Sequence, residues 1–135
     1  METHGHEQLC VFTDQSVGLR AFIAIHDTTL GPALGGVRIW PHKTEDEALM
    51  DVLRLSRGMT YKSAVAGLPL GGGKGVIMAD SRTDKTEGMF RSYGRFVESL
   101  DGRYITTEDV GASPQDLEWV SYETEHVVGV SRAMG

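Results

Sequence analysis

The sequence predicts an α/β domain built on a mixed, largely parallel sheet with helices on both faces. Three observations carry that prediction. From Gly36 onward, strand-like and helix-like segments alternate three times. Along that stretch the apolar spacing switches between period 2 and period 3.6, the signatures of a sheet and of an amphipathic helix. Ahead of it lie two short apolar runs joined by a polar turn, a hairpin expected to add antiparallel to the edge.

The hairpin is formed by Leu9-Cys10-Val11-Phe12 and Leu19 to Ile25, turning at Asp14-Gln15-Ser16 with Gly18 at its end. Gly36-Val37-Arg38-Ile39-Trp40 alternates as a third strand and stops before Pro41. Thr44 with Glu47 three residues later forms a capping box. The helix that follows carries Ala48, Leu49, Val52, Leu53, Leu55 and Met59 on a broad apolar stripe and runs to about Ala66. A glycine-rich loop from Gly67 to Gly75 leads into a short strand, Val76-Ile77-Met78. Met89, Phe90, Tyr93, Phe96, Val97 and Leu100 mark a second amphipathic helix. Tyr104-Ile105-Thr106 reads as a strand, and Ser113-Pro114 opens a third helix, with Ser113 as cap and Asp116 near the positive end of its dipole.

The 135 residues suit one domain, 1–135, with a core of its own. A net charge of −6 gives no whole-chain attraction to nucleic acid or to an anionic membrane. Nowhere is an apolar run long enough to span a bilayer. The start, Met1 to His6, is polar and lacks the apolar core of a signal peptide. The single cysteine, Cys10, has no internal partner, and no Cys/His cluster has zinc spacing, so the expectation is no metal and a reducing, cytoplasmic setting. Val130 to Gly135 forms no recognisable terminal element, so the expectation is a chain cut short of a further domain.

Seventeen glycines, several of them in two clusters, mark places of sharp turning or close approach. Gly71-Gly72-Gly73-Lys74 invites a phosphate-cradle reading, but Gly75 stands where a Walker loop needs Ser or Thr, and the run follows a helix instead of a strand. A Gly-x-Gly-x-x-Gly fingerprint is absent too, so no cofactor-binding residue is expected in this chain. What remains is two lysines and a carboxylate beside unusual backbone. Lys62 lies on the side of its helix that carries Leu55 and Met59, Lys74 sits among glycines, and Asp109 falls between a strand and a helix. Each has a structural alternative: a snorkelling lysine, a solvated loop charge, a capping carboxylate. Together, at one edge of an α/β sheet, two ammonium groups and a carboxylate suit a zwitterionic ligand, and a crowded, desolvated lysine is a base near neutral pH.

Four stretches carry a resemblance: Gly31-Pro32-Ala33-Leu34-Gly35-Gly36-Val37-Arg38, Leu55-Ser56-Arg57-Gly58-Met59-Thr60-Tyr61-Lys62, Gly71-Gly72-Gly73-Lys74 and Glu108-Asp109-Val110-Gly111. They resemble the catalytic-domain motifs of the Glu/Leu/Phe/Val dehydrogenase family, in family order from about His6 to Gly129, and His26-Asp27-Thr28-Thr29-Leu30 looks most like its leucine-acting branch. The resemblance implies two domains, an N-terminal substrate-binding and oligomerisation domain, the part present here, and a C-terminal Rossmann domain for NAD. The implied reaction is reversible oxidative deamination of an L-amino acid to its 2-oxo acid and ammonia.

By the same resemblance Lys62 binds the substrate carboxylate, helped by backbone around Gly35 and Gly36. Lys74 is the general base and Asp109 moves protons at the amine. Gly71, Gly72 and Gly73 let backbone approach the substrate, while Leu34 and Met59 line the side-chain pocket. Thr107 and Gly75 depart from the leucine-type pattern, which has Ala at both, and Thr107 bears on pocket size. Because Leu34 and Met59 offer nothing to a side-chain carboxylate, an apolar, leucine-like amino acid is expected over glutamate. The partners implied are a small amino acid or 2-oxo acid and further copies of the chain. A stand-alone amino-acid-binding or oligomerisation module without NAD-dependent turnover is the alternative, and the intact Lys62, Lys74 and Asp109 set favours the enzyme domain.

Overall fold

The fold is taken from a computed structural model that describes residues 5–129, so residues 1–4 of the polar start and the ending at 130–135 lie outside the described residues. In chain order the elements are strand β1 (Gln8–Asp14), a 3-10 turn, β2 (Leu19–Asp27), β3 (Ala33–Trp40), helix α1 (Glu45–Val65), β4 (Gly71–Met78), α2 (Glu87–Glu98), β5 (Tyr104–Glu108) and α3 (Pro114–Ser121). The five strands form one sheet in the order β1-β2-β4-β3-β5. β1 pairs β2, and β2 pairs β4, antiparallel; β3 pairs both β4 and β5 in parallel. The expected α/β class holds. The parallel part, however, is confined to β4-β3-β5, because the hairpin docks its second strand directly against β4.

Each helix opens on a side-chain oxygen that accepts an otherwise orphaned backbone N–H. Thr44 accepts from Glu47, Thr86 from Met89 and Ser113 from Asp116. At α3 the box is reciprocal, since Asp116 also accepts from the Ser113 N–H.

One expectation fails instructively. The glycines from 71 to 75 are not a loop before a strand; they are the first five residues of β4, buried in mid-sheet. Glycine weakens an isolated strand, but here both edges of β4 are paired, and strand glycines commonly mark a close approach of other backbone. Likewise β3 begins at Ala33, ahead of Gly36, and β5 runs on past Thr106 to Glu108.

Strand alternation sorts the side chains onto two faces. On one, Ala21, Ile23, Ile25, Val37, Ile39 and Ile77 meet Phe90, Tyr93 and Val97 of α2 and Leu117 and Val120 of α3. On the other, Phe22, Ala24 and Val76 meet Ala48 and Val52 of α1. α1 lies over β4 and β2 and only marginally over β3. On that same face Leu34 and Arg38 of β3 and Ile105 and Thr107 of β5 are therefore only half-buried. Beside α1, this strip of β3 and β5 is left partly uncovered.

Candidate active site

Lys74 projects from the middle of β4 on the α1 face, opposite Ala24 of β2. Only 5% of the residue is exposed. An ammonium so buried needs a partner, and the partner is Asp109, whose Oδ2 lies 2.9 Å from Lys74 Nζ. Asp109 follows β5 in a short turn. Its carbonyl accepts from the Ala112 N–H at 3.0 Å, and the neighbouring Val110 carbonyl accepts from the Ile39 N–H at 2.9 Å, which pins the turn to β3.

β5 and β4 are not neighbours. β3 lies between them, and two strand spacings amount to about 10 Å. The carboxylate closes that gap because β3 carries Gly36 at the crossing: a Cβ there would fall 2.7 Å from Asp109 Cβ and 2.5 Å from the Glu108 carbonyl oxygen. Gly36 is thus the bare step over which the ion pair is made. Gly72 plays the corresponding part beneath the helix, where a Cβ would fall 2.2 Å from the Thr60 backbone nitrogen, so α1 rests directly on β4. The space that these glycines leave is taken by the chain's own atoms.

A second cation reaches the same carboxylate oxygen. Arg38 Nε donates to Asp109 Oδ2 at 3.1 Å. Arg38 also faces Asp51 of α1 at 3.8 Å, and Asp51 is held by His42 Nε2 at 2.8 Å and Arg54 at 3.2 Å. Nothing in the sequence reading singled Arg38 out, although alternation places it on the face of Gly36, two residues further on.

These contacts set the proton affinities. Burial pushes the Lys74 ammonium down, Asp109 pulls it back by hydrogen bond and charge, and the positive charges of Arg38 and Lys62 push it down again, leaving it below the ordinary lysine value. Burial works to raise Asp109, but Lys74 and then Arg38 outweigh it and hold the carboxyl below the ordinary aspartate value.

The other expected site residues gather around this pair by face, without touching it in every case. Lys62 stands exposed near the end of α1, on the flank that carries half-buried Leu55 and Met59, and its charge is felt at Lys74. The fully buried seam of α1 is formed instead by Ala48, Val52, Ser56 and Ser63. Leu34 is half-buried on the α1 face, and Thr107 sits beside Gly36 in register. Gly35 and Gly71 align with the opposite face and offer backbone only. The Gly35 carbonyl accepts from the Tyr104 hydroxyl at 2.8 Å. Tyr104 and Tyr93 share Thr106 as partner, and burial pushes the Tyr93 phenol to about 12. Among the described residues no three His, Cys, Asp or Glu side chains converge to hold a metal ion. Among the described residues, none of the turns that lead from a strand into a helix carries a dinucleotide fingerprint, so these residues do not fit NAD.

The mixed sheet and its three helices define the class of the fold: the dimerisation domain of the Glu/Leu/Phe/Val dehydrogenases. Residues 6–126 match the profile of the Glu/Leu/Phe/Val dehydrogenase dimerisation domain. A leucine dehydrogenase of Geobacillus stearothermophilus is 58% identical over all 135 residues, which are 37% of that protein. The crystal structure of L-tryptophan dehydrogenase from Nostoc punctiforme superimposes with a TM-score of 0.91 at 53% identity, over 94% of this chain and 38% of that one. The hetero-hexameric glutamate dehydrogenase from Thermus thermophilus, in its leucine-bound form, gives 0.82 at 27% identity, over 96% and 35%. The chain belongs to the Glu/Leu/Phe/Val dehydrogenase family. It spans 37% of the length of the leucine dehydrogenases it matches.

Proposed function

We propose that this domain is the substrate-binding and catalytic half of an NAD-dependent dehydrogenase that oxidatively deaminates an apolar, leucine-like L-amino acid in the cytoplasm. The observation that carries this reading is the buried Lys74–Asp109 pair at 2.9 Å, with Lys62 close enough to depress Lys74. Lys62, exposed at the rim, pairs with the substrate carboxylate. Lys74 in its neutral form takes the proton from the water that attacks the imine carbon. Asp109, ionised over the working range, holds the ammonium and exchanges its proton. Leu34 and Met59 pack on the aliphatic side chain, and Thr107 narrows the pocket. NAD, as hydride acceptor, is held outside these residues by a separate nucleotide-binding domain, and the domain described here also joins copies of the chain into a homo-oligomer.

The test is turnover by the full-length enzyme with NAD and a series of L-amino acids. Leucine, valine and isoleucine should be oxidised to their 2-oxo acids with a kcat/KM well above that of glutamate. No turnover of any apolar L-amino acid would overturn the reading.

A further inference from the structure

A general base in this site must spend part of its cycle without its proton. Lys74 then loses the charge-assisted bond that ties it to Asp109, since a neutral amine holds a carboxylate far more weakly than an ammonium does. Asp109 sits in a turn at the sheet edge with its side chain 24% exposed, and with Lys74 alone as partner it would be free to swing toward water. Arg38 supplies what is missing. A guanidinium keeps its charge at every working pH, and its Nε meets the same oxygen, Oδ2, that Lys74 uses. Among the described residues Oδ1 makes no hydrogen bond. Arg38 is itself braced from behind by Asp51, which His42 and Arg54 hold in turn.

We propose that Arg38 is a positioning residue: it grips Asp109 Oδ2 while Lys74 is uncharged and leaves Oδ1 for the substrate amine. The proposal rests on the dehydrogenase reading of the site. A second consequence is electrostatic. The charged or titratable groups around Lys74 are Asp109 beyond β5, Arg38 on β3, Lys62 on α1 with Asp51 and Arg54 behind Arg38, His42 after β3, and His26 on β2. The charge of Asp109 also reaches the buried Tyr104 phenol on β5 and helps to raise it, after burial. Of these, Arg38 and Lys62 favour the neutral lysine, and Asp109 opposes them. Arg38 thus steadies the carboxylate and helps to discharge the base.

The experiment is steady-state kinetics across pH in the full-length enzyme, comparing wild type, Arg38→Gln and Arg38→Lys. In Arg38→Gln, kcat should fall by roughly ten- to a hundredfold, the scale of a misplaced catalytic group, with the substrate KM within about twofold, because the Arg38 guanidinium is engaged by Asp109 and Asp51. The alkaline inflection of kcat should rise by about one pH unit, since one positive neighbour of Lys74 is gone. Arg38→Lys keeps the charge but loses the fork that spans Asp109 and Asp51, so its inflection should stay at the wild-type pH while kcat recovers only in part. An Arg38→Gln enzyme with wild-type kcat and inflection overturns the proposal. Should Arg38→Gln not fold, Arg38→Lys decides alone: a wild-type kcat removes the positioning role, and a displaced inflection removes the electrostatic one. A wild-type enzyme inactive on every amino acid sinks the functional reading itself, a result distinct from either of these.

Discussion

As the proposed base, Lys74 would hold a proton and then give it up, and its surroundings suit both demands. Burial, Arg38 and Lys62 lower its proton affinity, while Asp109 keeps the charged form in place. Oxidative turnover should therefore climb with pH through a value below that of an ordinary lysine. Lys74→Ala in the full-length enzyme is expected to lower kcat by about two to four orders of magnitude, the range for loss of a general base. Lys62→Ala should chiefly raise the substrate KM, because a carboxylate contact made in both ground and transition states contributes uniform binding. It should also move the pH inflection upward, since the lysine charge that opposes protonation of Lys74 is removed. Steady-state kinetics across pH check all three, and an active Lys74→Ala enzyme would end the assignment of the base. At this scale the pairing of Lys74 with Asp109 could be anticipated from the sequence, because a lysine among glycines and an aspartate between a strand and a helix stand out. Arg38 did not stand out: an arginine in an alternating strand looks like any solvated side chain until Asp109 is folded back across Gly36.

Between elements, the decisive contact is α1 on β4. Ser56 and Ser63 are buried along the helix seam, and Thr60 sits on Gly72 with no room for a methyl group. Gly72→Ala should cost about 1–3 kcal/mol, the usual penalty for overpacking. It should also displace Lys62 and Met59 with the helix, so the midpoint of chemical denaturation and the substrate KM should change together. A midpoint equal to wild type would show that α1 has slack at this crossing. The caps at Thr44 and Ser113 were legible because capping is local chemistry, written within four residues. The strand character of residues 71–75 was not, because only the pairing of β2 and β3 on either side makes a glycine run extended. The stripe on α1 was half legible: apolar periodicity found the helix but not the small residues on which it rests.

For the whole molecule, the class and both helical faces followed from alternation and periodicity, and only the proportion of parallel pairing needed the sheet order. The proposed division of labour between two domains is open to a direct test. The 135-residue chain alone, mixed with leucine and NAD, should produce no NADH, because its sequence carries no dinucleotide fingerprint to align a hydride acceptor with the substrate. NADH formation by the homogeneous chain would contradict this. Acid should weaken the fold as well. Asp109 and Asp51 both lie below the ordinary aspartate value. Their stabilising share is complete above the value of about 3.9 for an unfolded aspartate and drains away as pH falls through the lower folded values.

The ion pair over Gly36 also acts as a fastening. Among the described residues, β5 is joined to the sheet on one side by β3, and on the other only by a short bridge from Thr106 to Val127. Asp109 reaching Lys74 ties this strand to β4, one strand further in. When the amine discharges, that tie slackens while the Arg38 grip on β3 remains, so the stiffness of the sheet margin follows the proton on one lysine. Amide hydrogen exchange makes this visible. Asp109→Asn should speed exchange along Tyr104–Glu108 while leaving β4 as it was, and equal protection of β5 in both proteins would show that backbone pairing alone secures the strand.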